Sequence, residues 1–402
     1  MQRPQAIGLI GIALLMGAGT AHADAQDTLN LTVGASLMHD DNLFRLSSDA
    51  NPQALLGTSQ KSDTIRVTTV GLKFAKDYSL QRFELEASLI DYRYKTFDYL
   101  DFTASNYAAA WRWALTPRLK GNFTRNRTEA LNSFTDYNNY KQQNIRTTTN
   151  TRFDGDFELG AAVHLIAGVA QNEYTNSKIF LAEGDSTYDS ADFGLRYVFR
   201  SGASVSLVRR QGSGDYTNRN QPIPTGLYDN GFDQNDTELR AVWPVTAKTR
   251  VEGRIAHTER KHDHYAQRDY DGTVGNLSLN WGITAKTSLT ATLSRELVSY
   301  QTLYSSYYQA DRFVIAPYWQ ISAKTGLRLR YDYSERDYLG AIAATSFNGR
   351  TDTIKLGSIA FEWAPYSNTL ISASLQNEKR SSNKPGQDYD STMGTVSAQI
   401  TF

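Results

Sequence analysis

Apolar and polar residues alternate one for one in short blocks along most of this chain, a period of two that fits strands and excludes helices. In F-E-L-E-A-S-L, Phe83, Leu85, Ala87 and Leu89 fall on one face and Glu84, Glu86 and Ser88 on the other. Phe193, Leu195, Tyr197 and Phe199 oppose Gly194, Arg196 and Val198; Leu239, Ala241 and Trp243 oppose Glu238, Arg240 and Val242. Leu277, Leu279 and Trp281 oppose Asn276, Ser278 and Asn280, and Leu327, Leu329 and Tyr331 oppose Arg328, Arg330 and Asp332. One segment breaks phase: Ile354 and Leu356 are out of step with Ile359, Phe361 and Trp363, which predicts a β-bulge between them.

The blocks are punctuated by short polar turns about every 40 residues, at 77–79, 116–118, 159–160, 201–202, 246–248, 284–286, 322–324 and 366–368. W-A-L-T-P-R, W-P-V-T-A-K, W-G-I-T-A-K and W-Q-I-S-A-K each set an aromatic a few residues ahead of the turn. That spacing predicts an interfacial girdle containing Trp113, Trp243, Trp281, Trp319 and Trp363. Both flanks of the eight turns, a first strand from Thr28 to Met38 and a last one ending at Phe402 make about eighteen strands. The fold class is therefore all-β: a transmembrane, antiparallel, up-and-down β-barrel with both termini periplasmic. Its longer loops, roughly 45–62, 130–144, 177–185, 218–230 and 339–350, would lie outside, with Gln221 to Gly226 a stiff stretch.

The two ends agree. Met1 to Arg3, the apolar run Ile7 to Ala18 and the A-x-A site at Ala21 to Ala23 read as a cleaved signal peptide over 1–23, with the barrel over 24–402. The terminal strand, with Val396, Ala398, Ile400 and Phe402 on one face, resembles the closing strand by which Gram-negative outer-membrane barrels are recognised for assembly. Phe402 is then the assembly signal, the cell outer membrane the location, and outer-membrane lipid and the barrel-assembly machinery the first partners.

Composition limits the function. The chain has 402 residues, no Cys, 24 Tyr, and 42 basic against 42 acidic residues. It has neither disulfides nor a nucleic-acid footprint. Negative mean hydropathy is compatible with a barrel, whose strands show lipid every second residue only. Phase places Glu84, Glu86, Arg112, Asp154, Asp156, Arg196, Glu238, Arg240, Arg254, Arg328 and Arg330 on the lumen wall, where opposite charges can ladder. Charged residues are thus expected to collect inside.

Catalytic chemistry is poorly represented, and neither an enzyme nor a cofactor is predicted. His164 has no serine in a sequence pattern with it, and the paired carboxylates at Glu84/Glu86 and Asp154/Asp156/Glu158 are better read as partners of lumen arginines. His262 and His264, near Asp263 and His257, could hold a metal, but a solvated loop rim explains them better. Tyr137, Tyr140, Tyr304, Tyr307 and Tyr308 are rim aromatics suited either to stacking on sugars or to a second girdle.

Met38 to Arg45 closes the first strand with M-H-D-D-N-L-F-R. That stretch, Asp41, Asn42, Leu43, Phe44 and Arg45 in particular, between a signal peptide and a Tyr-rich hairpin series ending in Phe, resembles the outer-membrane β-barrel family of exopolysaccharide gene clusters. Within it, the resemblance is to the EpsL-like proteins associated with exosortase and exopolysaccharide biosynthesis. The resemblance implies a conduit or export-machinery partner for a hydrophilic polymer, with polysaccharide and other export proteins as partners. Physical reading alone leaves open a general diffusion porin, an outer-membrane enzyme on lipid or glycan, and a closed structural barrel. A capped outer turn would account for Asp40 to Asn42 equally well.

Overall fold

The structure is a computed structural model that describes residues 28–135, 141–178, 184–217, 219, 228–300, 302, 304–342 and 348–402. The signal-peptide reading over 1–23, the stretch Gln221 to Gly226, and Tyr137 and Tyr140 lie outside the described residues.

Alternation becomes strand throughout. In chain order these are β1 (Leu29–Asp40), β2 (Asp63–Tyr78), β3 (Gln81–Tyr94), β4 (Phe102–Thr116), β5 (Leu119–Leu131), β6 (Ile145–Glu158), β7 (Val163–Asn176), β8 (Ser186–Val198) and β9 (Ser204–Tyr216). They continue as β10 (Gly231–Thr246), β11 (Thr249–His262), β12 (Tyr270–Gly282), β13 (Thr287–Ser299), β14 (Tyr307–Gln320), β15 (Thr325–Leu339), β16 (Thr351–Trp363), β17 (Thr369–Ser382) and β18 (Tyr389–Thr401). Each pairs antiparallel with its neighbours in an 18-stranded sheet, and β1 with β18 closes it from Thr32↔Thr401 to Asp40↔Met393. Phe402 adds two backbone bonds with Leu31, of 3.0 and 2.7 Å. Closure removes every sheet edge, the condition for a sheet to sit in lipid.

The eight short connections fall where the sequence punctuates them, and their chemistry is local. Thr246 and Thr284 each accept a backbone N–H two residues on, at 3.1 Å, while Ser322 takes those of Lys324 and Thr325 at 3.1 Å. Such hydroxyl turns need no glycine, which is why Thr-Ala-Lys repeats at this end of the barrel.

Outward positions near these turns are apolar and exposed: Leu239, Trp243, Ile255, Leu277, Leu293, Phe361 and Val396 among them. The belt runs about seven residues up each strand, which at ~3.3 Å per residue and ~40° of tilt is roughly 20 Å, close to the apolar band of outer-membrane barrels. Beyond it the same outward face turns charged, with Arg66, Arg93, Arg295, Glu335, Lys355 and Lys379, so charge is not confined to the interior. The strands outrun the apolar belt at the long-loop end.

Two further sequence expectations change. No bulge divides β16: its pairing with β15 runs unbroken from Asp337↔Thr351 to Thr325↔Trp363. Ile354 instead points inward, 6% exposed, because this level of the lumen is filled rather than wet. Trp113 faces outward but is buried, lying across Gly121 and Gly155 and stacked on Phe153 at 5.6 Å; the other four girdle tryptophans are exposed.

Candidate functional site

The lumen has a wet end and a filled end. Near the tight turns, the inward-facing Lys73 and Glu86 pair at 3.0 Å with side chains 62% and 59% exposed, so water reaches the inner wall there. Toward the long loops, inward side chains are nearly all buried.

Between the two lies a ladder of ion pairs. Glu238, on β10, receives Arg210 at 2.9 Å from β9, Arg254 at 2.8 Å from β11 and its own strand neighbour Arg240. Arg240 and Arg254 stand directly opposite each other, a repulsive placement that the Glu238 carboxylate offsets. Asp192 holds Arg152 at 2.6 Å, and Arg152 also approaches Asp154 at 3.5 Å. Asp154 further accepts Asn122 Nδ2 at 3.0 Å. Across the barrel, Asp332 takes Arg330 and Arg312, Glu362 takes Arg328, and Glu84 takes Arg112 and Arg82. The eleven lumen residues named from sequence phase all lie on this inward face. The same parity would have found their partners Arg152, Asp192, Arg210, Arg312 and Glu362. Four arginines (Arg152, Arg210, Arg240, Arg254) meet four acids (Asp154, Asp192, Asp236, Glu238), so the wall is dense in charge yet balanced.

At the filled end the Asp41 to Arg45 stretch turns the first loop into the mouth. Asp40 accepts the Arg45 guanidinium at 2.8 Å, the Asn42 backbone N–H at 2.9 Å and the Ser391 hydroxyl at 2.9 Å. Asp41 caps the backbone N–H of Thr392 at 2.8 Å. Leu43 and Phe44 are thereby set among inward-facing Met38, Ile65, Val67 and Ile90, with Phe44 against Phe97 at 4.8 Å and Phe134 at 4.6 Å. Burial of the Arg45 guanidinium opposes its charge, yet Asp40 and Glu378 more than offset this and raise its pKa above the ordinary arginine value. The short helix α1 (Pro52–Leu56), capped by Asn51, follows in the same loop. The motif is a loop anchor, and its polar groups are spent within the protein.

At the same end of the barrel, guanidinium groups lie over rings: Arg336 over Tyr308 at 4.7 Å, Arg350 over Tyr338 at 4.2 Å and Arg380 over Tyr389 at 4.7 Å. Tyr308 is 3% exposed within this packing, which removes it as a sugar platform, and Tyr307 instead donates its hydroxyl to the Asp269 carbonyl at 3.4 Å.

The histidines separate. His262 is buried 5.7 Å from the Phe232 ring, whereas His264 turns to Asp229 at 3.1 Å. Asp229, Asp263 and His264 lie within ligand reach of one another, as do His257, Glu259 and Asp271 on the outer wall. Burial disfavours ionised Asp229, but donation from His264 and the backbone N–H groups of Tyr265 and His264 outweighs it and holds the carboxyl below its usual range. Burial, then the nearby Asp229, pushes Asp263 the other way. His164 bonds Asp156 at 2.7 Å beside Arg196, and no hydroxyl among the described residues joins it.

The family model described as "Putative beta-barrel porin 2" matches residues 238–402, from mid-β10 to the last strand. OccK2 (OpdF) of Pseudomonas aeruginosa superposes with a TM-score of 0.50 at 9% identity, over 93% of this chain and 98% of that one. This chain has the closed 18-stranded antiparallel barrel fold of that structure. OpdK of the same organism, solved with vanillate, scores 0.49 at 10% identity over 93% and 99% of the two chains. A BenF-like porin from Pseudomonas fluorescens Pf-5 scores 0.48 at 11% identity over 93% and 98%. No curated protein matches in sequence. The porin match begins well after the Asp41 to Arg45 stretch, so it neither includes nor explains that motif.

Proposed function

We propose that this barrel is a diffusion channel for small hydrophilic solutes, with termini and tight turns toward the periplasm and long loops outside. Its leader over 1–23 would be removed on export, and the Phe402 strand would be the segment read by the assembly machinery. The observation that carries the reading is the water-exposed Lys73/Glu86 end of the lumen, opening onto a wall of compensated ion pairs. Balanced charge suits neutral or weakly charged solutes better than a strongly ion-selective pore. The porin description of the family matched over residues 238–402 supports the same reading.

An exopolysaccharide conduit has less support. The residues behind that resemblance are engaged in anchoring loop 1, where Phe44 packs into the apolar cluster at the mouth, and the family description over residues 238–402 names a porin. An enzymatic reading finds His164 between a carboxylate and a guanidinium, an arrangement for charge balance.

The test is planar-bilayer recording with liposome swelling on the purified barrel. Discrete conductance steps of weak ion selectivity, with swelling by mono- and disaccharides and none by long oligosaccharides, are the expected result. Silent bilayers, together with loss of surface polymer on gene deletion, would return the reading to polysaccharide export.

A further inference from the structure

The lipid-facing wall carries a diagonal groove that the register explains. Outward residues Leu327, Phe361, Ala373, Val396 and Leu37 form one cross-strand row over five strands, and Ile359, Leu375, Gly394 and His39 form the next. Between these rows runs a depression of about 750 Å³, walled by Leu37, Ile359, Phe361, Leu375 and Val396. Gly394 makes it concave, since a Cβ there would meet nothing within 4 Å. The groove climbs from the tight-turn side of β15 to the top of β1 and β2, ending at His39 and Thr64, which bond at 3.0 Å.

Its upper border carries two facing lysines that the fold does not require. Lys355 and Lys379 stand directly opposite each other on the outward face, four residues above Ile359 and Leu375, or ~13 Å along the strand. Facing like charges are destabilising unless something neutralises them. Two acids flank the pair without closing an ion pair on either lysine: Asp390, opposite Lys379, accepts Asn377 Nδ2 at 2.8 Å, while Glu335 takes the hydroxyl of Tyr333, the other neighbour of Lys355. Neither lysine forms an ion pair among the described residues, whereas the outward Arg93 and Arg295 are both paired to aspartates. Arg66, opposite Leu37, adds an exposed cation at the far end of the groove, also without an ion pair among the described residues.

We propose that this groove is a binding site for a phosphorylated glycolipid of the outer leaflet, with an acyl chain along the apolar rows, a phosphate between Lys355 and Lys379, and Arg66 meeting a second anionic group. Charge complementarity selects the occupant. A second copy of this chain would bring the same lysines to the contact and would have to bury them unpaired, whereas an anionic lipid supplies the missing charge at headgroup height and alkyl chain below it. The site depends on the barrel standing in lipid with its long loops outward, and is independent of what passes through the lumen.

Native mass spectrometry of the detergent-solubilised barrel, titrated with bis-phosphorylated lipid A and with the same lipid A stripped of phosphate, tests the site on the unaltered chain. Binding at least tenfold tighter to the phosphorylated form is expected. Lys355→Ser with Lys379→Ser should abolish that preference, and Gly394→Leu should weaken both lipids, with heat-shifted gel mobility reporting closed barrels. Equal binding of the two lipids by the unaltered chain overturns the proposal, as does a preference that survives loss of both lysines. Dimers that cross-link through cysteines placed in the groove would overturn it in favour of a self-interface. Channel recordings read the lumen separately, so failure of either proposal leaves the other standing.

Discussion

Asn42 holds its loop with both ends of one amide. Its Nδ2 donates to the Leu46 carbonyl at 2.8 Å and the Asp390 carbonyl at 3.0 Å, while its Oδ1 accepts the Leu46 N–H at 3.0 Å. Asn42→Ala leaves the buried N–H and carbonyl of Leu46 without these partners, each at ~1–3 kcal/mol. Loop 1 should then open locally, and trypsin should nick the native barrel after Arg45 or Lys61 about tenfold faster or more, with little change in global unfolding. An unchanged cleavage rate would mean that the Phe44 cluster alone holds the loop. Asp229 makes a pH-dependent counterpart across the mouth. Its folded pKa is lowered, so its contribution is complete above the ordinary carboxylate range and is lost as pH falls through the lowered value. Asp263 is raised, so its ionised form costs stability at neutral pH, and protonation relieves that cost on the way down. Protection of segment 228–269 from proteolysis should therefore hold or improve on mild acidification and collapse only below the ordinary carboxylate range. Asp229→Asn should remove most of this acid dependence, and a midpoint near neutral pH in the unaltered chain would contradict the assignment.

Between strands, the clearest constraint is the absence of a side chain. A Cβ on Gly121 would overlap the Asp154 carbonyl and stand 2.5 Å from Trp113 Cζ2, whereas one on Gly155 would lie 3.7 Å from the same ring, an ordinary contact. Gly121→Ala must displace Trp113 from Phe153 or part β5 from β6, at ~1–3 kcal/mol. Gly155→Ala should be close to neutral, so a difference between the two in the midpoint of heat-induced gel shift isolates the Trp113 packing. Such glycines were not legible in the sequence, because what they make room for lies on neighbouring strands. The strands themselves were legible because an apolar outer face and a polar inner face impose period two, and hydroxyl turns such as Thr246 and Thr284 mark their ends. Inward Met38, Ile65, Val67, Ile90 and Ile354 do not fit that rule. The first four pack on loop 1, whose fold has no period, and Ile354 lies at a filled level of the lumen, so the departure at Ile354 read as a bulge. The outward charges at Arg66 and Lys355 escaped for a related reason: the alternation says which face a residue takes, and not where along the strand the lipid stops.

At the scale of the barrel, balanced charge is a property of the whole wall, distributed over carboxylates that each serve several arginines. Glu238 is the most heavily shared of them, fully buried among Arg210, Arg240 and Arg254. Glu238→Gln keeps the shape of the side chain and removes its charge. Three guanidiniums on neighbouring strands then retain only the more distant acids, with Asp236 3.9 Å from Arg210. The field in a lumen bounded by low-dielectric lipid changes sign locally, and anions should accumulate there. Under a salt gradient the reversal potential should move toward chloride, an effect that shrinks at high ionic strength as the Debye length falls to ~3 Å at 1 M. Replacing Lys73 with Gln at the wet end should move it the opposite way and by less, since that pair is more than half exposed and screened. If Glu238→Gln folds, conducts and leaves the reversal potential where it was, then ions do not pass this ladder, and the permeation path must run along the Ser372, Ser397 and Thr32 side of the lumen instead.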